Sequence, residues 1–548
     1  MAQRLKGAKA KRQEIFCILL FNMKKILFIL ILLSGITVTQ SQSVWTSIKD
    51  RGADPDGNVK CTGIISNTIN ELASKGGGTV YFPAGTYLTG PIILKSNITL
   101  WLDGGAVVKF SDDFDDYLPM VQSRWEDVRV KNFASQIYAY QCENISIRGR
   151  GHFEGQGKKW WDFMRTATSK QQPESKWQEI FKKENEALLA KNAYIRGKNN
   201  FLRPPMVTTY ECKNVLIEGV SFSNPPFWTI MPAFTDNITI TGVTIENPSG
   251  SPNTDGIDPS SCRNVHISNC HITVGDDCIV IKSGRDEDGR EAARPTENIT
   301  ITNCTMLKGH GGVVIGSEMS GNVKRIAITN CVFEGTDRGI RIKTMRGRGG
   351  VIEDLLVSNI VMNNMVNEGV LITLRYQRTD PEPLSERTPA CNNVRISNII
   401  VRGGERPVAI YGLEERDVSQ ISFSNMETKT QRGILIENGS EINFHDIKME
   451  IKEGSALEAK DSKKISWDKV SVTTSTSEQP FLKLNNCSGV NVTNCFQIES
   501  IPLFISEDEK CGDIVVANNI LPSTRSLTSN KAKNILLNNN VILNTPGR

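Results

Sequence analysis

Apolar and polar residues alternate along this chain in short runs, and each run restarts on a polar residue. Asn97-Ile-Thr-Leu, Asn144-Ile-Ser-Ile, Asn214-Val-Leu-Ile, Asn237-Ile-Thr-Ile, Asn264-Val-His-Ile, Asn298-Ile-Thr-Ile and Asn393-Val-Arg-Ile share one phrase. Fainter copies begin near Arg325, Asp354, Gln420, Glu441, Lys464, Gly489 and Asn534. A period of two with Val, Ile and Thr predicts short strands. From Asn214 onward the restarts lie mostly 22–39 residues apart. No such unit can bury its own apolar face, so neighbours must stack into a solenoid. Helix-length amphipathic stretches are almost absent between copies, which disfavours helical and leucine-rich solenoids. A propeller would need four strands in a longer repeat. The expectation is an all-β parallel β-helix, one coil per repeat, with coils about 4.8 Å apart. Asn at a fixed turn position can pair its amide with the next coil's amide in a ladder.

Two segments break the pattern. Residues 66–75 read as a short helix capping the first coil. Residues 158–200, rich in Lys, Glu and Ala and carrying Trp160, Trp161 and Trp177, read as a helical insertion. It is either a surface decoration or a wall of a substrate site. The N-terminal stretch reads differently again. Met23-Lys24-Lys25, an apolar run from Ile26 to Leu33 and a small polar zone to Ser43 form a secretory signal pattern. Residues 1–43 are therefore assigned to signal and upstream leader, with Met23 the candidate true start, and 44–548 to a single domain. The run is too short to span a bilayer stably, and no Cys follows it for lipid attachment. A secreted or periplasmic protein with no membrane span in the mature chain is expected.

Composition changes the picture in two places. The net charge is +4, but residues 1–43 hold seven Lys/Arg and one Glu, leaving about −2 elsewhere. A nucleic-acid partner gains no support. There are 13 Cys. Cys270, Cys304, Cys331 and Cys495 each follow an Asn in one local phrase, and Cys142, Cys212, Cys262 and Cys391 each precede a strand-opening Asn by two residues. Recurrence at one phase of a repeat predicts buried small hydrophobes, with few disulfides and none from the Asn-Cys set.

Four phrases carry residues that a coil does not need: Asn253-Thr254-Asp255-Gly256, Gly275-Asp276-Asp277-Cys278, Gly309-His310-Gly311-Gly312 and Arg341-Ile342-Lys343. The gaps Asp255 to Asp276, Asp277 to His310 and His310 to Arg341 are 21, 33 and 31 residues. Each is about one repeat, so the phrases should fall on consecutive coils and span roughly 14 Å of one face. Three carboxylates that close repel, which should raise one pKa and leave the others low. Glycoside hydrolysis uses such an acid and base, and adjacent coils could supply the separation of about 6.5–9.5 Å typical of inversion. Arg341 and Lys343 alternate along one strand and point to one side. With Lys282, Arg285, Arg346 and Arg348 they predict a basic rim suited to an anionic sugar.

These residues resemble glycoside hydrolase family 28, the polygalacturonase family of pectin hydrolases, in its signatures Asn-Thr-Asp, Gly-Asp-Asp, Gly-His-Gly and Arg-Ile-Lys. Gly77-Gly-Thr-Val-Tyr-Phe-Pro-Ala-Gly-Thr-Tyr87 is similar to the family's first coil. The resemblance covers roughly residues 45–450 and implies a right-handed parallel β-helix. It implies Asp276 as general acid, Asp255 and Asp277 as the pair that holds and activates water, and His310 as support for the acid. It also implies Arg341 and Lys343 as binders of the galacturonate carboxylate, with Tyr376 as a further contact, and no metal or other cofactor. The segment from Lys282 to Arg290 and the run from Arg341 to Gly350 look more like exo-acting members. Substrate-binding candidates are thus Arg341, Lys343, Tyr376, Lys282, Arg285 and Asn253. Asn224-Pro-Pro-Phe-Trp228 offers an aromatic platform or a buried Trp. The implied partner is a pectic poly- or oligosaccharide, and a monomer is expected. Other readings stay open: a rhamnogalacturonan hydrolase, a Ca²⁺-dependent pectate lyase, or a non-catalytic glycan-binding β-helix.

Overall fold

The computed structural model describes residue 7 and residues 44–543 except 168–172, 199–200, 475–477, 498–500 and 523. The expected signal segment from Met23 to Ser43 lies outside these residues. The recurring phrase forms the strands Lys213–Glu218, Asp236–Thr241, Arg263–Ser268, Thr296–Thr302 and Val323–Glu334. Each runs parallel to the next, with Val215, Ile238, Val265, Ile299 and Ile326 in one register column. This sheet continues from Trp45–Ser47 to Val541–Leu543. A second parallel sheet starts at Asp277–Ile281 and ends at Ser526–Thr528. A four-stranded sheet ending at Ile230–Ala233 extends it towards the N-terminus through single bridges, Ile230 to Ile257 and Ile257 to Ile279. The protein is a right-handed parallel β-helix.

The backbone explains the restart residue. Asn214, Asn237, Asn264 and Asn298 have φ of 58°, 58°, 57° and 60°, a left-handed conformation that Asn tolerates better than most residues. The fainter copies kink at the same phase: Arg325 58°, Asp354 58°, Gln420 57°, Glu441 58° and Lys464 54°. Where Asn recurs, the amides form the expected ladder. Asn144 donates to Asn97 at 2.8 Å, and Asn214, Asn237, Asn264 and Asn298 each donate to the preceding Asn at 3.0 Å. Arg325 ends the run by donating its Nε to Asn298 at 2.7 Å.

Inside, apolar side chains stack coil on coil, as in the column Phe222, Ile245, Ile272, Met306, Phe333 and Met362. All twelve described cysteines are buried and free. The capping helix spans Thr62–Ser74 and seats Ile65, Ile69 and Leu72 on the core. It begins four residues earlier than its sequence suggested. The insertion forms the helices Lys158–Ala167, Lys176–Glu184, Glu186–Lys191 and Ala193–Arg196. They pack a second apolar cluster in which Trp160, Phe181 and Ile195 meet Trp125, Phe133 and Trp228. Two elements were not anticipated: the antiparallel hairpin Val121–Trp125 with Val128–Asn132, and the helix Asp286–Ala292. No described helix is long and apolar enough to cross a membrane.

Candidate active site

The four phrases occupy four successive coils, because Ile257, Ile279, Val313 and Ile340 follow one another in register. Two residues before these core positions stand Asp255, Asp277 and Gly311. Thr229 N–H donates to Asp255 O at 2.8 Å and Gly256 N–H to Asp277 O at 3.1 Å, which places Trp228 in the same column. The carboxylates of Asp255, Asp276 and Asp277 come together with nearest oxygens within 4.8 Å of one another. That is closer than the wide separation expected from the sequence.

The cations do not lie directly beside these acids. Arg341 is in register with Val314, three positions beyond Gly311. Its guanidinium and the Lys343 ammonium reach back across the Gly311 coil, giving Arg341 to Asp277 Oδ1 at 3.4 Å and Lys343 to Asp277 Oδ2 at 2.7 Å. Gly311 leaves the space for this reach: a Cβ there would sit 3.1 Å from Asp277 Oδ1 and 2.4 Å from Val314 Cγ2. Tyr376 lies against both cations, its ring centroid 5.6 Å from the Arg341 guanidinium and 5.1 Å from the Lys343 ammonium. His310 Nδ1 is 3.0 Å from Asp276 Oδ1, and the His310 backbone N–H donates to the Asp276 backbone oxygen at 2.9 Å. Asn253 takes a hydrogen bond from buried Arg203 at 2.8 Å, while Arg203 also donates to Pro226 O and Pro252 O. One guanidinium thereby ties the Trp228 loop to the Asn253 loop.

The electrostatics separate the aspartates. Burial, with Asp276 and Asp258 adjacent, pushes Asp255 well above the usual carboxylate range. Its Oδ1 has no hydrogen-bond partner among the described residues. Asp277 is equally buried, yet Lys343 and Arg341 outweigh burial and hold it below its ordinary value. The carboxyl pushed up is therefore Asp255, a member of the expected water-holding pair. The cause is that Asp277 has two cationic partners and Asp255 has none in contact. The hydrogen bond to Asp276 raises His310.

Lys282 and Arg285 are not a free basic rim. Both are buried, and both grip Glu318, at 3.0 Å and 2.6 Å. Arg348 and Ser317 also bond Glu318, which lies well below its normal range because these cations outweigh its burial. The Lys282 ammonium stands 4.4 Å from the centre of the Trp228 ring. Burial lowers its proton affinity, but Glu318, Asp255 and Asp258 raise it further, so Lys282 stays charged. Arg346 turns away to Glu415 and Glu414 and takes no part.

These groups open on a cavity of about 380 Å³. Asn253, Asp255, Asp276, Asp277, Lys343 and Tyr376 line one part of it, and Trp228 and Lys282 also face it. Arg341 and His310 do not line it, but each contacts an aspartate that does. Tyr194 and Lys198 from the insertion, and Glu126 from the hairpin turn, close the other part. The insertion is thus a wall of the site. The three aspartates could hold a cation among their oxygens, but both Asp277 oxygens are already engaged by Arg341 and Lys343.

Sequence reasoning missed Glu318, Glu126, Tyr194, Lys198 and Asp258. Glu318 follows Lys282 by 36 residues, about one repeat, and could have been found by the same arithmetic. Glu126, Tyr194 and Lys198 sit on elements outside the repeat, where no spacing rule reaches.

Residues 190–427 match glycosyl hydrolases family 28, and residues 45–169 match the rhamnogalacturonase A/epimerase, pectate lyase-like family. A probable polygalacturonase of Vitis vinifera is 32% identical over 329 residues, which is 58% of this chain and 61% of that protein. The chain thus spans under two thirds of that relative. An exo-poly-alpha-D-galacturonosidase of Dickeya chrysanthemi is 27% identical over 75% of this chain and 72% of its own length. Among solved structures, a hyperthermoactive exopolygalacturonase from Thermotoga maritima superposes with a TM-score of 0.67 at 35% identity, covering 75% of this chain and 92% of that one.

Proposed function

The chain belongs to glycosyl hydrolases family 28, and from that premise we propose that it hydrolyses α-1,4-galacturonosidic bonds of pectic chains, with inversion, removing one or two residues from the non-reducing end. The observation that carries this is the trio Asp255, Asp276 and Asp277 inside a cavity that is cationic along one side and walled at the other. Asp276, partly open to the cavity and bonded to His310, gives its proton to the leaving glycosidic oxygen. Asp277, kept ionised by Lys343 and Arg341, takes a proton from the attacking water, and the free Oδ1 of Asp255 helps hold that water. Water supplies the hydroxyl at the anomeric carbon and Asp276 the proton on the leaving group, so the reaction balances. Arg341 and Lys343, with Tyr376 beside them, meet the uronate carboxylate through charge-assisted hydrogen bonds. Lys282 adds a fixed charge beneath the sugar. The wall built by Tyr194, Lys198 and Glu126 favours an exo mode, since a groove blocked at one end admits only a chain terminus. Action outside the cytoplasm accords with the secretory pattern of residues 23–43.

Spacing of the carboxylates leaves stereochemistry as the sharpest part of the test. Nearest oxygens within 4.8 Å fall below the roughly 6.5–9.5 Å usual for inversion. The inverting reading rests on a water cradled between Asp255 and Asp277. Polygalacturonate should yield mono- or digalacturonate as first products, as the β-anomer by proton NMR, without the ultraviolet absorbance of an unsaturated product, and unchanged by EDTA. Asp276→Asn should lower kcat by about 10²–10⁴-fold. Early mixed oligomers would overturn the exo mode, α-anomer the inversion, and exclusive cleavage of rhamnogalacturonan the linkage.

A further inference from the structure

Glu126 has no part in the chemistry above, yet its carboxylate faces the cavity at the walled end. It sits at the tip of the hairpin Val121–Trp125 with Val128–Asn132, in a turn where Glu126 and Asp127 both take left-handed backbone, φ 38° and 65°. The turn is bolted down. Asp127 is fully buried and accepts from Ser260 Oγ at 2.6 Å, and Arg285 N–H donates to Asp127 O at 3.1 Å. Arg285 then clamps Glu126 itself, with Nε to its backbone oxygen and Nη2 to Oε2, both at 3.0 Å. The Arg285 guanidinium rests 3.6 Å from the centre of the Tyr194 ring. The other oxygen, Oε1, lies 3.9 Å from the Lys198 ammonium, beyond hydrogen-bond reach, and takes no hydrogen bond from the described residues. The walled end therefore presents one rigidly held carboxylate oxygen with its acceptor capacity unspent.

A carboxylate is an odd group to aim at a polyanion. It cannot bind a uronate carboxylate, but it accepts strongly from a hydroxyl. The terminal ring of a saturated galacturonate chain carries a free 4-hydroxyl, whereas an internal ring has an ether oxygen there, followed by another negative charge. A chain end produced by a lyase is 4,5-unsaturated and has no 4-hydroxyl. We propose that Glu126 reads the free 4-hydroxyl of the non-reducing terminal uronate, so that the pocket accepts saturated ends and rejects both internal segments and lyase-cut ends. This rests on the exo reading given above. It places the enzyme after hydrolytic cleavage, which leaves saturated termini, and not after β-elimination.

The test compares saturated trigalacturonate with its 4,5-unsaturated counterpart. The wild-type protein should favour the saturated trimer in kcat/KM by roughly 10- to 100-fold, the scale on which one buried acceptor left unpaired is felt. Glu126→Ala should lose that factor on the saturated trimer only, which closes the gap. Glu126→Gln should keep part of it, because its amide oxygen still accepts. Unchanged thermal unfolding shows that the hairpin remains in place. Equal wild-type rates on both trimers overturn this inference alone. So does a Glu126→Ala loss of equal size on both, since Glu126 would then only position Arg285. A wild-type protein that cleaves neither trimer overturns the substrate reading and takes this inference with it.

Discussion

At the scale of single residues, the site concentrates unmatched charge. Asp258 is fully buried, and neither of its carboxyl oxygens has a hydrogen-bond partner among the described residues. Lys282, Asp127, Asp277 and Asp276 face it, and burial pushes it well above its ordinary value of 3.8 despite the pull of Lys282. A carboxyl raised on folding binds its proton more tightly in the native state. Its contribution is complete below about the unfolded pKa and is lost as pH climbs through the folded one. Asp258→Asn should therefore match the wild-type melting temperature near pH 4 and exceed it progressively towards neutral pH. A melting-temperature difference independent of pH would refute the assignment. Asp258 also shows where reading a sequence stops. Asp255, Asp276 and Asp277 stood out because their spacing matched the repeat, as did Arg341 and Lys343. Asp258, in Ile-Asp-Pro-Ser, belongs to none of the four phrases. Its neighbour Asp127 arrives from a distant hairpin, whose bond from Ser260 to Asp127 spans 133 residues of chain.

At the scale of elements, each coil's shape depends on the residue at its kink and on what its strand leaves empty. The restart phase was legible because left-handed backbone selects Asn. The period of two then fixed which side chains point inward. The hairpin stayed hidden because its turn is Glu126-Asp127, without the Asn-Gly or Asp-Gly signal of such turns. The helix Asp286–Ala292 is only seven residues long, too short for a periodic pattern. Gly311 marks the limit of the register argument. Its phrase stood out for His310, but the role of Gly311 is to stay out of the way of Arg341 and Lys343. Gly311→Ala should thus damage function and packing together. A methyl 2.4 Å from Val314 Cγ2 and 3.1 Å from Asp277 Oδ1 overpacks the strand at a cost of about 1–3 kcal/mol, and it pushes Asp277 off its cations. Loss of both kcat and thermal stability is expected. A stable variant with unaltered kcat would show that Asp277 does not need this gap.

At the scale of the whole molecule, a solenoid's stability is roughly a sum of coil terms and nearest-neighbour interfaces. A coil with neighbours on both sides is held twice, and a coil at an end once. The four site coils are interior: every residue of Asp277–Ile281 and Gly311–Gly316 is buried. Towards the other extreme of the described chain, Lys533–Asn538 and Val541–Leu543 are almost wholly open, with Leu536 58% and Val541 50% exposed. Opening should therefore propagate inward from that side, and hydrogen exchange should grade along the axis. Amides of Ile279, Val313 and Ile342 should be the slowest, and those of Ile535 to Leu537 and Val541 to Leu543 faster by orders of magnitude. The same gradient has a functional consequence. In rising denaturant, loss of protection in the outer coils should precede loss of hydrolytic activity, because the three aspartates remain clamped between intact neighbours. Exchange at one common rate throughout, with activity lost at the same denaturant concentration, would mean that the coils unfold as a single unit and that their interior position does not protect the site.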